Sequence, residues 1–255
     1  MELIEKIGFY FYDLMSIVGE FVIFQWETVK AFFRPPFRWR ELLFQLEFIG
    51  VKSWGIVSLT GLFAGMVIAL ETSYALSLFS AEYLIGPTTM LALFRELGPV
   101  LTALMITGRA GSAMATELGS MKVTEQIDAL YVMAVDPIQY LVVPRILATI
   151  IMMPLLTFLF VFLGGVGAFF VSTYSGAVTP HTFFSQIITK VHNHDLYGGL
   201  LKTMFFGFII ATISTYTGMK TRGGARGVGK SSTTAVVLSS IAVMVVDYIL
   251  TPFIF

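Results

Sequence analysis

The chain has no cysteine among its 255 residues, so disulfides, thiol catalysis and cysteine-ligated metals are excluded together. Charge is scarce too: Asp, Glu, Lys and Arg make up 13% of the sequence, against about 25% in an ordinary soluble domain. Sixteen basic and sixteen acidic residues cancel, and no basic excess points to nucleic acid. Histidine occurs only as His181, His192 and His194. The run "HNHD" lacks a thiolate or second carboxylate and its spacing suits a loop, so no metal site is assigned. Neither a Ser-His-Asp arrangement nor a pair of catalytic acids can be assembled from the rest. The N-terminus, "MELIEKIGFYFYDLM", lacks a basic leader, an apolar run and a small-residue cleavage site, so no signal peptide is expected.

What is present is hydrocarbon. Hydrophobic residues are 56% of the chain and the mean hydropathy is +0.82, values that belong in a bilayer. A crossing needs about 20 mainly apolar residues, and five segments qualify: Ser53 to Leu78, Thr88 to Met114, Tyr140 to Tyr174, Leu196 to Met219 and Thr233 to Phe255. The first 33 residues differ. Lys6, Asp13, Glu20 and Glu27 recur every seven positions among apolar residues, which on a helix gathers them into one polar stripe, and Pro35-Pro36 ends that helix. The pattern predicts an amphipathic helix in the membrane interface, with a sixth, tilted span as the alternative. Lys and Arg concentrate before the first span, between the second and third, and between the fourth and fifth. The positive-inside rule then places the N-terminus in the cytoplasm and Phe255 on the far side.

One cytoplasmic stretch resembles a nucleotide site. In "GGARGVGKSSTTAV", residues 223 to 236, Gly224, Gly229, Lys230 and Ser231 fit the phosphate-loop pattern without a mismatch. That loop works only where a strand feeds a glycine turn and a helix whose amides cradle phosphate. Here span-length apolar sequence precedes it and a span follows, so no segment is left for the sheet. A basic cytoplasmic turn is expected instead.

The segment from 95 to 145 is more informative. Its centre, "MKVTEQIDALYVMAVDP", is bounded by Gly119 and Pro137, and Glu125 and Asp128 alternate with Val123, Ile127, Leu130 and Tyr131. A helix there, at about 119–136, has one apolar and one acidic face, and something must cover the apolar one: the bilayer surface or a cytoplasmic partner.

"RELGPVLTALMITGRAGSAMATELGSMKVTEQIDALYVMAVDP", "PRILA" and "GGARGVGKSSTTAVV" closely resemble the permease subunit of Mla-type ABC transporters, the systems that maintain outer-membrane lipid asymmetry. The likeness runs from the first span to the C-terminus. It implies an all-α polytopic membrane protein, with an interfacial helix and connector over 1–50 and a five-span permease domain over 51–255. It further implies a homodimer working with cytoplasmic ABC ATPases and a periplasmic ring of MCE domains, in the bacterial inner membrane, with phospholipid as cargo. ATP and Mg would then belong to the partner ATPase, leaving this chain without a cofactor or catalytic residue. By the same resemblance Met121, Val123, Thr124, Glu125, Ile127, Asp128, Leu130 and Tyr131 form the coupling helix that sits in a groove of the ATPase. Another hydrophobic cargo, a membrane-embedded hydrolase and a passive scaffold are the competing readings.

Charges inside the spans are the remaining candidates: Glu71 in the first, Arg95 and Glu96 in the second, Asp247 in the fifth. Each costs about 2.5–3.5 kcal/mol at a helix centre on insertion scales, so each should face protein or water. Arg95 and Glu96 point about 100° apart and cannot neutralise one another face to face. They are expected to contact a lipid head group or to form structural pairs with Glu71 or Asp247. Ile68, Ala75, Leu76 and Phe79, with Thr72, make an apolar stripe suited to a lipid tail. Gly61 and Gly65 permit close helix approach, weakly suggesting the dimer interface.

Overall fold

A computed structural model describes residues 2–35 and 37–255, apart from the side chains of residues 2–14 and Ile17. Lys6 and Asp13 of the polar stripe thus lie outside the described side chains. Among the described residues the secondary structure is helical throughout. The order is α1 (Glu2–Phe32), α2 (Trp39–Ile49), α3 (Trp54–Ser77), α4 (Ile85–Ala92), α5 (Gly98–Ile106), α6 (Ser112–Val123), α7 (Gln126–Val132), α8 (Val143–Tyr174), α9 (Pro180–Lys190), α10 (Asn193–Met219) and α11 (Gly224–Ile254). Five stretches are long and apolar enough to cross a membrane: Trp39–Ser77, Glu82–Val123, Ile138–Tyr174, Asn193–Met219 and Gly224–Ile254. The all-α polytopic class and the number of spans read from the sequence both hold.

The α1 helix packs its second half across one end of this bundle. Phe24, Thr28 and Ala31, spaced at helical period, are buried, and Phe21 and Phe24 set their rings edge-on to Tyr216 of α10 at 5.2 and 5.4 Å. Glu20 accepts a hydrogen bond from Lys220 at 2.7 Å, which holds its carboxyl below the usual range.

Glycine sets the closest helix contacts. A Cβ on Gly65 would land on the Gly164 carbonyl oxygen, and one on Gly61 would sit 2.6 Å from the Phe160 carbonyl oxygen. The Gly61 and Gly65 pair therefore joins α3 to α8 within one chain, which corrects the dimer-interface expectation. Several hydroxyls inside the spans bond the carbonyl one turn back, as Thr149 does to Arg145 at 2.7 Å and Thr215 to Ala211 at 2.7 Å, so those groups need no water; others, among them Thr102, Thr157 and Ser239, are buried without a partner among the described residues.

The second span is a single helical run broken by two π-helical turns, Leu93–Leu97 and Thr107–Gly111. It continues past the expected Met114 to Val123, carrying α6 out as a stalk. The connection after α8 contains a helix the sequence reading left as loop: Thr179 caps α9 by accepting from the Thr182 amide at 3.3 Å, Pro180 opens it, and its Phe183 is buried. The last span also starts earlier than expected. Gly223 and Gly224 take left-handed φ of +90° and +66°, which turns the chain, and α11 runs unbroken for 31 residues from there. Lys230 and Ser231 thus sit inside a helix, where no strand precedes them and the backbone amides past the first turn bond within the helix. The basic turn is really a helix start, and a phosphate loop is ruled out by geometry.

Candidate functional site

The first element is a groove along the outer face of α3. Thr60, Phe63, Ala64, Val67 and Ile68 form one wall, and Leu97 and Leu101 beside α3 close the floor around about 560 Å³. Helical spacing carries the Thr60, Ala64 and Ile68 face on to Glu71 and Ala75. Both are exposed, as is Phe79 beyond the helix end. No group among the described residues pairs with Glu71. Leu76 does not share this face; about 100° round the helix from Ala75, it packs against the cluster of Ala69, Ile85, Ala168, Val178 and Phe183.

The second element is a buried ionic network next to the groove floor. It begins with a backbone defect: Pro99 has no amide hydrogen, so the carbonyl of Arg95 loses its i+4 donor, and the helix widens into the Leu93–Leu97 π turn. On the facing helix Gly199 lets α10 approach until a Cβ would meet the Phe94 carbonyl oxygen. Lys202, three residues on, enters at the defect. Its side chain is 0% exposed, and its ammonium donates to the orphan Arg95 carbonyl at 3.1 Å, to Glu96 at 2.8 Å and to Thr251 Oγ1 at 2.8 Å. Asp247 Oδ1 lies 2.7 Å away as an ion pair.

Arg95 points elsewhere. Its Nε and Nη2 reach Asp195 Oδ1 at 2.7 and 2.6 Å, and the Phe255 ring covers the guanidinium at 4.8 Å. Asp195 is held in turn by the His192 amide at 2.9 Å, so "HNHD" is a helix start. Among the described residues no cluster of three metal-ligating side chains occurs. Three carboxylates (Glu96, Asp195, Asp247) thus face two cations (Arg95, Lys202). Arg95 and Glu96 keep 42% and 39% of their side-chain surface, leaving both able to touch a ligand, whereas Lys202 and Asp195 are buried and Asp247 is largely so. The two side chains diverge, but both engage neighbouring helices, Arg95 through Asp195 of α10 and Glu96 through Lys202 of α10 and Thr251 of α11, and Arg95 pairs with neither Glu71 nor Asp247.

At the other end of the bundle, the predicted helix over 119–136 is broken. Glu125 takes a left-handed φ of +61°, which ends α6 at Val123 and starts the seven-residue α7. Lys122 clamps the corner through Asp128 at 2.8 Å, and the Thr124 hydroxyl bonds the Ser120 carbonyl at 2.9 Å. The apolar face of this hairpin turns inward: Ile127 is 1% exposed and packs with Leu118 and Leu141, alongside Met121, Leu130 and Met219. Glu125, Asp128 and Tyr131 remain exposed, joined by Val132 and Met133 at 89% and 63% exposure.

Sequence reasoning missed Lys202, Asp195 and Thr251, and at the hairpin Val132 and Met133. Lys202 adjoins a long apolar run and so reads as a span edge. One signal was available: Glu71, Glu96 and Asp247 with Arg95 leave an acidic surplus inside the spans, which calls for a second intramembrane cation.

The family model described as Permease MlaE matches residues 42–253. A probable ABC transporter permease protein of Rickettsia bellii is 40% identical over 242 residues, 95% of this chain and 93% of that one. A probable ABC transporter permease protein of Synechocystis is 43% identical over 211 residues, 83% and 80% of the two chains. The intermembrane phospholipid transport system permease protein MlaE of Haemophilus influenzae is 39% identical over 215 residues, 84% and 82% of the two. The chain belongs to the MlaE permease family and is a permease subunit of ABC-transporter type.

Proposed function

We propose that this permease moves phospholipid between the inner membrane and a periplasmic MCE-domain ring, working as a homodimer driven by cytoplasmic ABC ATPases. The observation that carries the reading is the apolar groove along α3 lying against a charged network whose most exposed members are Arg95 and Glu96. An acyl chain needs apolar walls, and a head group needs charge at their edge; the two meet here. The groove is open on a single chain, and a second copy would close it. The N-terminus and the α6–α7 hairpin would face the cytoplasm, and the C-terminus the periplasm. ATP and Mg would stay on the ATPase, whose contact is the exposed rim of the hairpin: Glu125, Asp128, Tyr131, Val132 and Met133. Movement of α7 would pass through Ile127 to Leu118 of α6 and to Leu141 and Met219, and so to the spans.

The test enlarges one groove residue. Ala64→Trp fills space an acyl chain needs and stays apolar, so insertion should persist; because Ala64 also packs against the core, a cost of about 1–3 kcal/mol is expected, and ATPase assembly is measured alongside as the control. Photo-crosslinkable phospholipid captured by the assembled transporter should fall, with less effect from Ala75→Trp at the exposed outer end. Normal capture and transport in Ala64→Trp would show that lipid does not use this groove.

A further inference from the structure

The end of α8 away from the α6–α7 hairpin borders a hollow that neither the α3 groove nor the ionic network uses. Phe158, Val161, Phe162, Gly165, Val166 and Phe169 line it at helical spacing, so they form a single face of α8 that runs for about 16 Å. Gly165 leaves no side chain at the middle of that face. Met90 and Phe94 of the second span make the opposite wall, and Phe183, Phe184 and Ile187 of α9 close the third side. The seat of α9 explains the gap. It rests on α4, where a Cβ on Gly86 would stand 3.1 Å from the Phe183 ring and 3.3 Å from the Ile187 side chain, and its backbone mostly keeps clear of α8. Only at the far end does α8 reach it, through the Phe169 ring, which meets Phe183 at 5.5 Å and Phe184 at 5.1 Å. The space left between the three helices is about 280 Å³.

The chemistry of the lining identifies the occupant. None of these residues carries a polar side chain, so water and ions find no partner there. An apolar cavity of about 150 Å³ stays dry and takes up benzene, and this one is nearly twice as large. Spread along α8, the space is far too thin for another helix, which is about 10–12 Å across with its side chains. A single hydrocarbon chain fits it. The mouth opens on the lipid side, where Phe158, Phe162 and Val166 are exposed, while Val161 and Phe183 at the back are 3% and 2% exposed. Phe183, Phe184, Ile187 and Ile188 share one face of α9, with Thr182, Ser185, Gln186 and Thr189 on the other, the build of a helix that lies in the interface. The hollow therefore sits just beneath a head-group layer, at the depth of the chains. We infer that the pocket between α8, α9 and the second span holds one acyl chain of a phospholipid in the adjoining leaflet, and that it is blind to the head group. It shares no lining residue with the α3 groove, so it stands or falls without the transport reading.

The test places the full chain in nanodiscs containing phosphatidylcholine with a diazirine on one acyl chain, and maps the adducts formed on photolysis to residues by mass spectrometry. The parent should carry adducts on buried Val161 and Phe183, which only a chain inside the hollow can reach, besides those on exposed Phe170. Gly165→Phe fills the middle of the hollow, and the neighbour it crowds is the flexible end of Met90, with Sδ 3.1 Å from a Cβ there. That variant should lose most of the Val161 and Phe183 adducts and keep those on Phe170. Val237→Trp, an enlargement at an exposed position of α11, should match the parent. Should Gly165→Phe fold poorly, Val166→Trp, which narrows the mouth from an exposed position, decides. Phosphatidylglycerol bearing the same chain should label the buried pair equally, and unequal labelling would overturn the indifference to the head group. Adducts confined to exposed residues in the parent, or a buried pair labelled as before in Gly165→Phe, would overturn the site. Loss of the buried adducts once the chain is assembled with its partner subunits would overturn the assignment to lipid and give the pocket to a partner's side chain.

Discussion

Lys202→Met replaces a buried ammonium by an apolar side chain of similar length. It strips the partner from Glu96 and Asp247 and the donor from the Arg95 carbonyl at once. Removing one member of a buried ion pair costs about 3–5 kcal/mol, because the charge left behind is uncompensated. Two features move this case to the lower end. Glu96 keeps 39% of its side-chain surface, and Thr251 Oγ1 stays 3.2 Å from it as a donor. A loss of about 3 kcal/mol is roughly 150-fold in the folded-to-unfolded ratio. For a chain of this size it lowers the melting temperature by roughly 6–12 °C. The assay is thermal unfolding of the solubilised chain, run beside Lys202→Met/Glu96→Gln/Asp247→Asn. If uncompensated charge is the cause, the neutral triple variant recovers most of the loss. A single variant melting within roughly 2 °C of the parent, or a triple variant no better than the single, would refute the reasoning.

Two further outcomes are expected. Val132→Asp or Met133→Asp should abolish co-purification of the ATPase while the permease still inserts, each costing about 2 kcal/mol or more of association; Ile127→Asp should instead damage the permease itself, since Ile127 is core. Glycines of α3 should respond with opposite signs: Gly65→Ala forces α3 and α8 apart and costs about 1–3 kcal/mol, whereas Gly55, with nothing within 4 Å of a Cβ, gains about 0.5–1 kcal/mol as Ala, both read as melting shifts.

The spans were legible because the signal is compositional: twenty apolar residues announce a crossing without reference to any partner. Their ends were not. The chain leaves the hydrocarbon as helix at both α6 and α11, and apolarity stops marking the helix where it enters water. The same limit applies to the α6–α7 hairpin. Periodicity correctly separates the face of Ile127 from that of Asp128, yet says nothing about what covers each. The chain's own Leu118 and Leu141 cover Ile127, which leaves the acidic face and the Tyr131–Met133 end for another molecule. A glycine pair likewise marks a close approach without naming the approaching helix, which here is α8.

The ionic network shows why a site can be half readable. Arg95 and Glu96 stand out because charge in a span is expensive, whatever the fold. Lys202 is needed for two reasons, and only one of them is visible in the charge count. The other lies in the backbone: Pro99 frees the Arg95 carbonyl, and a freed carbonyl between spans must find a donor that water cannot supply. Lys202 meets that need with the same ammonium that binds Glu96 and Thr251 and pairs with Asp247. The π turn that follows from Pro99 re-aims the adjacent side chains, so Glu96 turns to Lys202 while Arg95 turns to Asp195. A proline inside a span, followed in the facing span by a glycine and then a lysine three residues on, is therefore a pattern worth reading as one object. Its meaning lies in a missing amide hydrogen, which no scale of hydrophobicity records.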